Sequence, residues 1–232
     1  MTEHSIYEDG TYLQHNPTWH QEHSPWKAQQ IAKILARNQL RPGSVCEIGC
    51  GAGGILGALS QELGEQVQFH GYEISPQAFA ICSKKQTANV RFSLTDLLAA
   101  DTAPFDVAMA IDVFEHVEDC FGFLRRFRSK GIHKIFHIPL DLSVQTVLRA
   151  TPLASIRATY GHVHYYTKEM ALAVLQESGY EIVDWFYTQG SLDLQASWKA
   201  RLLKLPRKIL FALNQDLTVR ILGGFSLLVL AK

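Results

Sequence analysis

Short apolar runs separated by polar or glycine-bearing breaks recur along the first two thirds of the chain. They fall at Ser44 to Ile48, Val67 to Tyr72, Val90 to Leu94, Phe105 to Ile111 and Ile132 to Ile138. Runs this short, bounded by turn residues, read as buried strands. The stretches between them carry apolar residues at helical spacing. One helix is expected from Gly53 to Leu63, closed by Gly64, and a second from the Ser75-Pro76 cap to about Gln86. A third contains Val117, Phe121, Leu124 and Phe127. Ahead of the first strand, Ser24-Pro25-Trp26 reads as an N-cap with proline in the first turn. Ala28, Ile31, Ile34, Leu35 and Ala36 give that helix an apolar face, and Arg41-Pro42-Gly43 ends it. Strand and helix in alternation predict a mostly parallel sheet covered by helices on both faces.

The rhythm breaks after residue 138. A long connection, 139–166, holds one short helix around Val144 to Ala150. Thr167 then caps a helix to Ser178, which Gly179 ends, and Tyr180 to Tyr187 is the sixth strand. A second excursion, 190–222, leads through Gly223-Gly224 into a last strand, Phe225 to Leu230. Without a typical helical crossover, the last two strands predict an antiparallel edge.

With 232 residues, 47% hydrophobic and 19% charged, the chain can bury a full α/β core. Its 22 basic and 22 acidic residues balance, so no nucleic-acid partner is expected. Cys46, Cys50, Cys82 and Cys120 form no C-x-x-C pair, and the first thirty residues lack an apolar signal core. Both features suggest a cytoplasmic protein with reduced cysteines. The ten histidines form no spaced ligand set with carboxylates, and His162-x-His164 alone does not make one, so no metal is expected. The basic, amphipathic segment 198–210 could touch an anionic membrane. Packing its Leu and Trp inward is the weightier reading.

One segment carries the most chemistry: Val45-Cys46-Glu47-Ile48-Gly49-Cys50-Gly51-Ala52-Gly53-Gly54. It places a glycine turn between a strand and a helix start. Such a turn lets backbone approach a ligand, and the helix offers free N–H groups there. Gly49, Gly51 and Gly54 satisfy the dinucleotide pattern G-x-G-x-x-G. Glu47 and Gly53 extend this to E-x-G-x-G-x-G, and acidic residues follow at later strand ends: Glu73, Asp96 and Asp112. Together these resemble the class I S-adenosylmethionine-dependent methyltransferases.

The resemblance implies a Rossmann-like, seven-stranded, mostly parallel sheet with an antiparallel last strand. It implies one methyltransferase domain over 1–232: an N-terminal lid and helix (1–43), a cofactor-binding half (44–138), and an acceptor-side half (139–232) with insertions at 139–166 and 190–222. Glu47, Gly49, Cys50, Gly51 and Gly53 would cradle the cofactor's amino acid and ribose. Glu73, beside Ile74, would take the ribose hydroxyls. Asp96 would accept from the adenine amino group, with Leu97 against the ring. Ile111 and Asp112 would face the sulfonium. The run Asp112-Val113-Phe114-Glu115-His116-Val117 resembles the family's fourth motif, with Glu115 and His116 opening the next helix towards the acceptor. Gly161 to Thr167 resembles small-molecule members of a ubiquinone-biosynthesis-like branch. His162, Tyr165 and Tyr166 would line the acceptor pocket there. Trp19 and His20 would belong to the lid. His116 is the expected base and His164 its rival, since imidazole titrates near neutrality.

Each of these positions also has a structural alternative: a tight turn, a solvated Glu73, an Asp96 N-cap, a capping Glu115 with a packed His116, an aromatic plug at 161–166. The expected activity is O-methylation of a small molecule, with a histidine assisting loss of the acceptor's proton. N-methylation of a small molecule or peptide is the alternative. A nicotinamide-dependent oxidoreductase shares the glycine pattern, but no Tyr-x-x-x-Lys run supports it. A non-catalytic cofactor-binding subunit is the remaining reading.

Overall fold

The computed structural model describes residue 19 and residues 21–149, 151–190 and 198–232, the side chains of 198–204 excepted. Seven strands form one sheet: β1 (Ser44–Ile48), β2 (Gln68–Glu73), β3 (Val90–Leu94), β4 (Phe105–Ile111), β5 (Gly131–Leu140), β6 (Ile182–Thr188) and β7 (Phe225–Ala231). Their order is β3-β2-β1-β4-β5-β7-β6. The first five pair in parallel. β7 runs antiparallel to both β5 and β6. The antiparallel strand is thus one in from the edge, and β6 forms the edge.

Period-two alternation divides the sheet residues between two cores. Val45, Val107, Met109 and Ile135 face the side covered by α1 (Ser24–Arg37), α2 (Gly54–Leu63) and α3 (Pro76–Cys82). Cys46, Ala108, Ala110, Phe136 and Ile138 face the side covered by α4 (Cys120–Phe127) and α7 (Lys168–Glu177). Two more helices, α5 (Val144–Arg149) and α6 (Thr151–Tyr160), fill the connection after β5, where the sequence predicted one. The second begins at Thr151-Pro152, a helix-start signal whose weak apolar spacing hid it. α3 ends at Cys82 and gives way to a 3-10 turn over Ser83–Lys85. The third expected helix starts later than its apolar spacing implied. Asp119 caps it by accepting from the Gly122 N–H, and Phe114–His116 form a separate 3-10 turn. All four cysteines are buried and free.

The second excursion contains α8 (Trp198–Leu213) and α9 (Gln215–Leu222). Within 198–210 the expected inward packing fails for Leu205 and Leu210, which remain 67% and 47% exposed. The side chains of Trp198, Leu202 and Leu203 lie outside the described residues. Just beyond the segment, Phe211 stacks on Phe225. Among the described residues, no helix is long and apolar enough to cross a membrane.

Candidate active site

β1 lies between β2 and β4, so the connections leaving it diverge and open a crevice at the carboxyl ends of these strands. The glycine turn borders that crevice. Gly49, Gly51 and Gly53 have φ of 64°, 54° and 74°, the left-handed region where side chains are strained. Their reasons differ. Among the described residues, a Cβ on Gly51 would meet only the Trp19 ring, at 3.7 Å, so this glycine leaves room in the crevice. A Cβ on Gly53 would fall 2.5 Å from Phe92 and 2.9 Å from Cys82. Gly53 is therefore required by the packing of α2 against β3. The Cys50 side chain is likewise buried, in the core beside Cys82, so only its backbone can face a ligand.

Three carboxylates surround the turn. Glu73 accepts from the N–H groups of Gly51 at 2.7 Å, Ile74 at 2.9 Å and Ser75 at 2.8 Å. Burial pushes its pKa up, and these three hydrogen bonds oppose the shift. A carboxylate offers about four acceptor positions, so one remains. Glu47 is buried, and among the described residues its Oε2 has no hydrogen-bond partner. Burial, which Lys27 opposes and the Glu73 and Asp112 charges reinforce, raises its pKa to about 8. An orphaned carboxyl oxygen at a strand end fits an ammonium or hydroxyl donor. Asp112 has φ 54° and accepts from Lys27 Nζ at 2.6 Å. His137 Nδ1 lies 2.5 Å from its other oxygen, while His137 Nε2 reaches Thr188 Oγ1 at 2.9 Å. Burial works to raise the Asp112 pKa, but His137 and Lys27 outweigh it and hold the carboxyl well below its ordinary range. At the ends of β2 and β3, Ile74 and Leu94 are exposed by 53% and 45%, an apolar ledge beside Asp96.

Beyond Asp112 the crevice widens into a cavity of about 580 Å³. Trp19, Trp26, His116, His137, Tyr160 and His162 contribute to its wall. The His116 and His162 rings stand edge to face, centroids 4.7 Å apart. His162 Nδ1 is 2.7 Å from Asp141 Oδ2, and the Gly161 carbonyl accepts from His116. Burial, reinforced by His162, lowers the His116 pKa to about 4. The 161–164 segment is fastened in place because Val163 N–H and His164 N–H both donate to the Glu115 carbonyl, at 2.9 and 3.1 Å. Glu115 is fully buried, and among the described residues its carboxyl oxygens have no hydrogen-bond partner beyond the residue's own backbone N–H.

A family model described as a methyltransferase domain matches residues 18–184, a span that takes in the glycine turn, all three carboxylates and most of the cavity wall. The chain belongs to that methyltransferase family. Solved structures share its fold. A magnesium protoporphyrin IX methyltransferase from Synechocystis PCC 6803, solved with bound SAH, superposes with a TM-score of 0.60 at 16% identity, over 89% of this chain and 82% of that one. A putative methyltransferase from Haloferax volcanii, in complex with its Trm112 activator, gives 0.62 at 14% identity, over 96% and 94%. The cyclopropane synthase MmaA2 from Mycobacterium tuberculosis gives 0.60 at 21% identity, over 88% and 84%. No curated protein sequence matches the chain. The chain is a class I S-adenosylmethionine-dependent methyltransferase.

Of the residues expected at the methyltransferase site, the structure brings Glu47, Gly49, Gly51, Glu73 and Asp112 around the turn. Ile111, His116, His162 and Trp19 line the cavity. Others point elsewhere. Leu97 is fully buried in the α4-side core, and its side chain cannot lie on an adenine. Asp96 accepts from the Leu98 N–H at 2.9 Å, the capping role held open above. Tyr166 packs against Phe114 within the core. The Tyr165 hydroxyl turns to the Leu153 carbonyl, 3.4 Å away. His164 Nε2 sits on the Val117 and Glu118 carbonyls, and His164 is not among the cavity residues. His20, and lid residues 1–18, lie outside the described residues. Sequence reasoning missed Lys27, His137 and Asp141. His137 did leave a signal: it is a polar residue in an apolar strand, two positions from Ile135 and so on the same face.

Proposed function

We propose that this methyltransferase transfers the methyl group of S-adenosylmethionine to an oxygen of a small-molecule acceptor held in the 580 Å³ cavity. The observation that carries this reading is the pair of imidazoles, His116 and His162, set on the cavity wall beyond Asp112. The bound cofactor supplies a methyl group already activated by a sulfonium. Glu47 would take its ammonium with the orphaned Oε2, and Glu73 a ribose hydroxyl with its remaining acceptor position. Ile74 and Asp96, the latter through the carboxyl oxygen not engaged by the Leu98 N–H, would meet the adenine, and Gly51 leaves the backbone room. Alignment of acceptor and methyl then supplies most of the acceleration. His116 and His162 would promote loss of the acceptor's proton, and Trp19 and Trp26 would keep water out.

The test is transfer from labelled cofactor to matched hydroxyl and amine panels, with products read by mass spectrometry. Hydroxyl products are expected. His116→Ala is expected to slow turnover about 10²–10⁴-fold while SAH affinity stays within a few-fold. Products from amines alone would refute oxygen as the acceptor atom.

A further inference from the structure

The histidines make no metal pattern along the chain, but folding gathers a different set. The candidate ligand atoms of Glu115, His116 and His162 all lie within 4.8 Å of one another. His116 Nε2 is 3.9 Å from Glu115 Oε1. We propose that Glu115, His116 and His162 form a divalent transition-metal site of the zinc class on the cavity wall, with an open position for the acceptor's oxygen.

Four observations meet here. First, Glu115 buries a carboxyl group completely, and among the described residues its oxygens have no hydrogen-bond partner other than the residue's own backbone N–H. Leaving such a group bare is costly whether it is charged or neutral, and a cation between it and two imidazoles removes that cost. Second, two histidines and one glutamate are a donor set that zinc accepts in catalytic sites, with bonds of about 2.0–2.2 Å. Third, each imidazole is already held from behind. Asp141 accepts from His162 Nδ1, and the Gly161 carbonyl accepts from His116. A ligating histidine ordinarily has such an outer partner, which fixes the orientation of the ring. Fourth, His116 and His162 both border the cavity, whereas Glu115 lies behind them. The fourth coordination position therefore faces the acceptor. Ligands about 3.4 Å apart suit a tetrahedral centre with such bonds, so the three side chains draw together as the ion enters.

The site gives a physical form to the proton loss in the reading above, on which only the identity of its fourth ligand rests. An acceptor hydroxyl bound to the ion gives up its proton to water in the cavity, and its oxygen keeps the electron pair. His116 and His162 then act as ligands.

The full chain, freed of metal by chelation and without cofactor, is titrated with Co²⁺ and followed by its visible d–d absorption, then by displacement with Zn²⁺. One saturable Co²⁺ equivalent is expected, displaced by one Zn²⁺. Glu115→Gln and His162→Ala are expected to abolish the band while still binding SAH, which reports that they are folded. Asp141→Asn, at the partly exposed outer partner, is expected to weaken binding about 10–100-fold and covers the case in which the buried variants do not fold. No saturable binding by the wild-type chain, or a band that survives in Glu115→Gln and His162→Ala, would overturn the site. Methylation of hydroxyls that persists unchanged in the stripped enzyme would also count against it, and leaves oxygen transfer standing. Amine products with an intact Co²⁺ band would sink oxygen transfer instead.

Discussion

Asp112 shows how much one residue can hold. It sits at φ 54° at the end of β4, and its carboxylate joins Lys27 of α1 to His137 of β5. His137 in turn reaches Thr188 of β6. Removing the charge from one member of an ion network leaves the others unpaired, at a cost of about 3–5 kcal/mol when fully buried and less where solvent reaches the pair, as it does at Asp112. Asp112→Asn should therefore lower stability by about 2 kcal/mol in a denaturant titration, and weaken SAH binding by loosening the crevice floor. Glu47 makes the opposite prediction. Its pKa is raised from 4.5 to about 8 in the folded state, so folding takes up a proton between those values. Its contribution to stability is complete below the unfolded value and is lost as pH rises through the folded one. The melting temperature of the cofactor-free protein should fall between about pH 4.5 and pH 8, and Glu47→Gln should flatten that fall. An equal slope in the variant would remove Glu47 as its source.

At the scale of elements, the strand-glycine-helix unit was legible because its constraints are local. A short apolar run, a turn that needs positive φ and a helix start are all encoded within about ten residues. What each glycine serves was not local. Gly53 meets Phe92 of β3 and Cys82 of α3, brought close only by parallel pairing and helix docking. Gly53→Ala combines strain with overpacking, so a loss of about 2–3 kcal/mol is expected. For a chain of this length that is a drop of about 4–12 °C in Tm by calorimetry. Gly51→Ala has open space towards Trp19, so it should be milder in Tm yet lose SAH affinity. The histidine turn was less legible. Helical spacing across 115–127 ran together a 3-10 turn and a later helix, because Asp119 sets the true start. His164 and Tyr166 were misplaced because residues 161–166 form no strand: His162 lines the cavity, while His164 turns to the Val117 carbonyl and Tyr166 to the core.

Across the whole molecule, the crevice belongs to the native state alone, since its parts come from β1, β2, β4, β5 and the N-terminal helix. A ligand bound only there stabilises by mass action. SAH at about 100 times its Kd should add about 2.7 kcal/mol to unfolding, with a Tm that climbs with concentration. No shift with SAH, in a protein that melts cooperatively, would contradict binding in this crevice. The sequence by itself determined the alternation of strands and helices, the glycine turn and the carboxylates at successive strand ends. Each follows from periodicity or backbone sterics within one segment. Tertiary structure alone decided that Lys27 answers Asp112, that His137 completes their network, and that Glu115, His116 and His162 converge. Those contacts join residues up to 85 positions apart in the numbering (Lys27 to Asp112), across strands paired out of sequence order. No local pattern encodes such proximity, and among the described residues the same packing left the Glu115 carboxyl buried without a side-chain hydrogen-bond partner.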